Sequence, residues 1–246
     1  MKTIYSISFA LCLLLCTNCA AQNQGKFGNL LNKAKAALSS PTADEMGFGL
    51  KEALEVGVSA GTGRLSAENG FFNNMAVKIL FPPEAQKVEK TIRNLGLNSL
   101  ADQVILSLNK AAEDAAKEAK PIFVSAIKQM TIADASKILL GKEQDGATQY
   151  FKRVSSDELR LKFQPIIQAS LAKVGATQYW GDVMTRYNKL PLVTQINPDL
   201  EGYVTQKAID GLFHEVALEE LKIRQNTAAR GSALLQKVFG YADTKR

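Results

Sequence analysis

The sequence predicts an all-α fold, a multi-helix single domain with at most one short extended segment near 76–81. Three observations carry that expectation. A hydroxyl residue followed three positions later by a carboxylate marks a helix start, and it recurs at Thr42 and Glu45, Ser99 and Asp102, Thr131 and Asp134, and Ser155 and Glu158. Apolar residues recur at helical steps of three and four. Only Ala76-Val77-Lys78-Ile79-Leu80-Phe81 reads as extended, and one strand cannot form a sheet alone.

The first element is an export signal over 1–21. Met1 and Lys2 precede an apolar run from Ile4 to Leu15 and a tail of small residues from Cys16 to Ala21. Such a run is too short for a bilayer-spanning helix of ~20 residues and has the layout of a removable secretory signal. Two cleavage readings stand open. Cys19-Ala20-Ala21 serves as a small-x-small peptidase site and leaves Gln22 first, or Cys19 is acylated and becomes the first residue, as in bacterial lipoproteins. Asn18 stands where a lipobox carries Gly, Ala or Ser, which argues against acylation. Both readings place the protein in the periplasm or cell envelope, with the membrane as a partner only if Cys19 is acylated.

Residues 22–41 form an amino-terminal arm and 42–246 the helical domain. The cysteines are Cys12, Cys16 and Cys19, so the exported domain has no disulfide and depends on its core. A chain of ~220 residues buries about 70% of its unfolded surface, enough for that purpose.

Within the domain, the segment from Thr42 reads as a helix weakened by Gly47, Gly49, Gly57, Gly61 and Gly63, each costing about 0.5–1 kcal/mol against alanine. Gly57 and Gly61 share a face, which predicts a tight helix crossing. Leu100, Val104, Leu108, Ala111, Ala115 and Ala119 form a core stripe on a helix from about 99 to 119, and Leu159, Leu161, Phe163, Ile166, Ile167 and Leu171 form a looser one. Pro165 should kink or break its helix near Phe163. The run 191–198 is a connector, and Asn197-Pro198-Asp199 supplies an amide cap, a first-position proline and an acid for the next helix.

Composition narrows the chemistry. The formal charge of +6 comes from interspersed rather than clustered lysines and arginines, so no nucleic-acid partner is expected. His214 is the sole histidine and cannot assemble a zinc site of several His and Cys ligands, while Glu143-Gln144-Asp145-Gly146 lacks the oxygen pattern of a calcium loop. No metal and no cofactor are expected.

Gly57-Val58-Ser59-Ala60-Gly61, with Asp210 and His214 downstream, matches the nucleophile-elbow pattern and the residue order of α/β hydrolases. An elbow needs a strand entering a turn, and the residues before Ser59 are helical. Asp210 and His214, four apart, should pair with each other. Acid catalysis would draw on Glu113 with Asp114, Glu215 with Glu219, or Glu219 with Glu220. Helical spacing offers another reading, in which Glu113 with Lys117, Lys110 with Asp114 and Glu220 with Arg224 are solvated surface pairs.

Gly49-Leu50-Lys51-Glu52-Ala53-Leu54, Asn109-Lys110-Ala111-Ala112-Glu113, Ile138-Leu139-Leu140-Gly141, Ala147-Thr148-Gln149-Tyr150-Phe151, Asp210-Gly211-Leu212-Phe213 and Val238-Phe239-Gly240 resemble the DUF4197 family of exported bacterial proteins. The resemblance runs from about Gly47 to Gly240 and implies no activity, because the family's function is unknown. Three classes follow. The first is a noncatalytic binding or interaction module of the envelope, with Asn109, Glu113, Glu220, Arg224 and Arg230 as candidate binding residues. The second is a carrier of a lipid or apolar small molecule, with a cavity lined by Phe71, Phe72, Trp180 and Phe213. The third is an envelope hydrolase using carboxylates, with Arg224 and Arg230 beside them in a cleft.

Overall fold

The helical stripes become nine α-helices among the described residues, with no strand there. The computed structural model describes residues 40–193 and 199–245; the segment 1–21 read as an export signal, Cys19 and nearly all of the arm expected at 22–41 lie outside them. The chain divides into Met1–Thr42 and Ala43–Arg246, and the second unit is the helical body. Its helices are α1 (Ala43–Ser66), α2 (Gln86–Asn94), α3 (Asn98–Ala116), α4 (Ala119–Gln129), α5 (Ile132–Leu140), α6 (Gly146–Lys173), α7 (Ala176–Asn188), α8 (Leu200–Gln225) and α9 (Ala233–Asp243). An irregular connector, 67–82, and a 3-10 turn at Pro83–Ala85 join α1 to α2.

Helix α8 is the organising element, packed against α1, α3 and α6, while α1 also meets α4, α5 and α9, and α7 lies on α2 and α3. Small side chains make the central contacts possible. On α3, Val104, Leu108, Ala111 and Ala115 are wholly buried, and the two alanines let neighbouring helices come close. Phe123 meets Phe151 and Phe213 edge-on at ring separations of 5.2 and 5.9 Å. Phe71, Phe213 and Trp180 are core side chains, and Phe72 is half-buried beside them, so the rings proposed to wall a carrier's cavity are taken up in packing.

The glycine crossing forms as expected. A Cβ on Gly57 would lie 3.1 Å from Glu219 Cβ, and one on Gly61 3.3 Å from Glu215 Cβ, so both glycines face α8 at the crossing. Ser59 between them sits in mid-helix, without the strand and sharp turn of a nucleophile elbow.

Helix starts divide into local and tertiary cases. Thr131 and Asp134 form the complete reciprocal box, and α1 opens at Ala43, directly after Thr42. Ser99 is not a cap: α3 opens one residue earlier, and Asp102 instead meets Arg93 at 2.8 Å. Ser155 lies inside α6, buried, its hydroxyl donating to the Phe151 carbonyl at 2.6 Å. The cap of α8 is Asp199, which accepts from the Gly202 N–H at 2.9 Å; Asn197 and Pro198 lie outside the described residues.

Helix α3 ends at Ala116, short of 119, and the chain resumes helical structure at Ala119. Helix α6 runs unbroken through Pro165. Proline removes one backbone donor there, and because Pro165 and Leu161 are both on the exposed side, the carbonyl that loses its partner can turn to water.

Candidate functional site

The connector 67–82 is the largest irregular stretch among the described residues inside the helical body, and its backbone groups need partners that a helix would supply internally. They find them on neighbouring helices. Glu113 of α3 accepts from the backbone N–H groups of Asn69, Phe71 and Phe72 at 3.2, 3.2 and 3.3 Å. One turn earlier on α3, Asn109 accepts from the Ile79 N–H at 2.9 Å and donates to the Ile79 carbonyl at 2.8 Å. The segment 76–81 therefore forms no strand, and the Asn109 amide stands in for one strand neighbour at Ile79.

From the other side, Glu215 of α8 accepts from the Asn74 side-chain amide at 2.9 Å and from Arg64 at 2.6 and 2.9 Å. Arg64 also reaches Glu219 at 2.8 Å. Burial lowers the Arg64 pKa, but its bonds to the two carboxylates outweigh that and leave it raised. At Gly211 the absent side chain lets the connector close on α8, since a Cβ there would lie 2.7 Å from Phe71 Cε1 and 3.3 Å from Val77 Cβ.

So held, the outer half of the connector forms one wall of a cleft of about 450 Å³. Ala76, Val77, Lys78, Leu80 and Phe81 contribute that wall, Pro83 and Gln86 one end, and Tyr203, Lys207, Asp210, Gly211 and His214 of α8 the other wall. Lys78 Nζ sits 3.8 Å above the Phe72 ring, a cation–π contact. Burial, with the Glu84 charge nearby, pushes the Tyr203 hydroxyl pKa up. Asp210 accepts from Gln206 at 2.9 Å rather than pairing with His214, whose ring is exposed in the cleft.

The other candidates gather at a junction of helix ends. Both Glu220 oxygens are engaged: they accept from the Ala147 and Thr148 N–H groups at 2.9 Å, from the Thr148 hydroxyl at 2.9 Å, and from Arg224 at 3.0 and 2.7 Å. Those backbone donors are free N–H groups of the first turn of α6, where a negative charge is favoured. Arg224 also donates to the Ile138 carbonyl near the end of α5 at 3.1 Å, and Arg230 donates to the Ile223 and Arg224 carbonyls at the end of α8 and to Asp243. Glu220 and Arg224 are thus a buried pair, not a solvated one, with side chains 3% and 1% exposed. Arg224 Nη1 is buried without a protein partner, and the residue lines a void of about 10 Å³, room for roughly one water.

The five proposed residues therefore separate into two groups, Asn109 and Glu113 at the connector and Glu220, Arg224 and Arg230 at the helix ends. Glu113 likewise does not pair with Lys117, which binds Asp114 at 2.6 Å. All five serve as buried fasteners of backbone. The spacing of the acids gave no hint of Glu215 as a connector ligand or of Lys207 and Tyr203 as cleft residues. Lys78, a lone charge within an apolar run, was the available signal for that wall.

Among the described residues no group of three His, Cys, Asp or Glu could hold a metal ion, and no helix is long and apolar enough to cross a membrane. A family model described as a protein of unknown function (DUF4197) matches residues 40–240. No curated protein and no solved structure matches the chain.

Proposed function

The chain belongs to the DUF4197 family of proteins of unknown function, and we propose that it is a noncatalytic binding module of the cell envelope, exported through its 1–21 segment, with the cleft between the connector 67–82 and α8 as its recognition site. The observation that carries this reading is the anchoring of the connector. Asn109, Glu113 and Glu215, all buried, fix an irregular segment whose outer residues line the cleft. Loops presented by a rigid scaffold are where binding surfaces usually lie.

A hydrolytic role finds less support. Acid catalysis needs a carboxyl group free to reach substrate, and Glu113, Glu215 and Glu220 are each engaged by several donors within the fold. The export signal supplies the address, and the absence of cysteine after Cys19 suits a domain that folds by burial alone.

Site-directed photocrosslinking in the native host tests the reading. A photoreactive residue at Leu80, half-exposed on the cleft wall, should give a defined adduct, whereas one at Leu161, exposed on α6, should not. Equal labelling at both positions, or none at Leu80, overturns it.

A further inference from the structure

Resting on that reading of the cleft, we infer that its ligand is a small amphipathic anion, one carboxylate or phosphate headgroup on a short hydrocarbon body. The two walls each bring a lysine. Lys78 comes from the connector and Lys207 from α8, and among the described residues neither ammonium lies within ion-pair distance of a carboxylate. Both rest on rings, Lys78 on Phe72 at 3.8 Å and Lys207 on Tyr203 at 5.9 Å. A cation resting on an aromatic face stays beside apolar surface while its N–H donors remain available to an anion.

Asp210 is the one carboxylate in the cleft lining, against the two lysines. Asp210 takes a hydrogen bond from Gln206, which in turn accepts from Arg160 at 2.8 Å. His214 adds a polar group on the same wall. The apolar lining is Ala76, Val77, Leu80 and Phe81, of which Leu80 is half-exposed in the cleft while Val77 and Phe81 are buried. A volume of about 450 Å³ lies within the usual range for small-molecule sites, roughly 300–1,000 Å³. Two lysines without a carboxylate partner, sharing a cleft with the half-exposed Leu80, complement a molecule with one charged end and one hydrocarbon end. A cationic amphiphile would meet two like charges, and a headgroup alone would leave Leu80 wet.

The chain's single tryptophan provides a reporter. Trp180 packs on Phe81 at a ring separation of 5.6 Å, so occupancy of the cleft should alter its emission. The full exported chain is titrated with octanoate, octyl phosphate, acetate and octylamine, with calorimetry alongside Trp180 fluorescence. Saturable binding of octanoate or octyl phosphate, much weaker binding of acetate and none of octylamine is expected, and the preferred anion identifies the headgroup.

Lys78→Glu and Lys207→Glu should each weaken binding by about tenfold or more, as a like charge replaces an opposite one. Lys162→Glu, on the exposed side of α6, should leave it unchanged. Failure of both anions to saturate, equal binding of octylamine, or indifference to both charge reversals overturns the inference. A Leu80 crosslink without anion binding would reject the ligand class and keep the binding role; absence of both rejects the two together.

Discussion

Asn109 and Ile79 form a two-way pair across thirty positions of sequence, the Ile79 N–H donating to Oδ1 at 2.9 Å and Nδ2 donating back to the Ile79 carbonyl at 2.8 Å. Both residues are buried, so no solvent replaces a lost partner. Asn109→Ala should orphan two backbone groups and destabilise the protein by roughly 2–6 kcal/mol in urea unfolding, at about 1–3 kcal/mol for each unsatisfied group. Asn109→Asp should be no rescue, because its second oxygen would face the Ile79 and Ile105 carbonyls. Hydrogen exchange at Ile79 should accelerate in both variants. An unchanged Ile79 rate would mean that the connector is held by its apolar contacts alone.

The Glu220–Arg224 pair should behave as a coupled unit. Glu220→Gln replaces one acceptor oxygen by an NH2 group that points at existing donors, and it leaves the guanidinium buried without its counter-charge. Breaking a buried pair from one side costs about 3–5 kcal/mol. Removing both charges with Glu220→Met and Arg224→Met should cost less than the sum of the single changes, though Ala147 and Thr148 still lose an acceptor. A double-mutant cycle in denaturant measures the coupling, and additive single changes would refute it.

Some features set by neighbours in sequence were legible, while most of those set by the fold were not, the Gly57–Gly61 crossing excepted. The Thr131–Asp134 box needs only one helical turn, and it forms as written. Ser99 and Asp102 carry the same pattern, but Arg93 on the preceding helix competes for the acid. The spacing of Glu220 and Arg224 gives their pairing; their burial depends on the ends of α5 and α6 converging on them, which no local pattern encodes. Asn109 and Glu113 were marked by their place beside alanines, yet their partners lie in a connector that precedes them by 30 to 44 positions.

Acid should weaken the contact between α3 and α6. Burial tends to raise the Asp114 pKa, but hydrogen bonds from Lys117 and Ser170 outweigh it and hold the carboxyl below its ordinary value. A depressed folded-state pKa gives stability that is present above the unfolded value, near 3.9, and is lost as pH falls through the folded one. Wild type should therefore lose more Tm than Asp114→Asn on going from about pH 5 to below pH 3. Thermal melts across that interval check the sign, and parallel curves would show that Asp114 is not linked to folding.

Glycines of α1 should respond to alanine according to what a Cβ would meet. At Gly63 there is nothing within 4 Å, and the residue is exposed, so Gly63→Ala should gain about 0.5–1 kcal/mol from helix propensity and reduced freedom of the unfolded chain. At Gly49 the new Cβ would lie 2.9 Å from Val238 Cγ2, in a wholly buried contact with α9. The same propensity gain is then opposed by overpacking of about 1–3 kcal/mol, and the net effect should be destabilising. Gly57→Ala should fall between them, because Glu219 Cβ at 3.1 Å must yield by a few tenths of an ångström while remaining bonded to Arg64. The order Gly63, Gly57, Gly49 in Tm separates helix propensity from the need for close crossing; a gain at all three would show that the α1 glycines are not required for its contacts with α8 and α9.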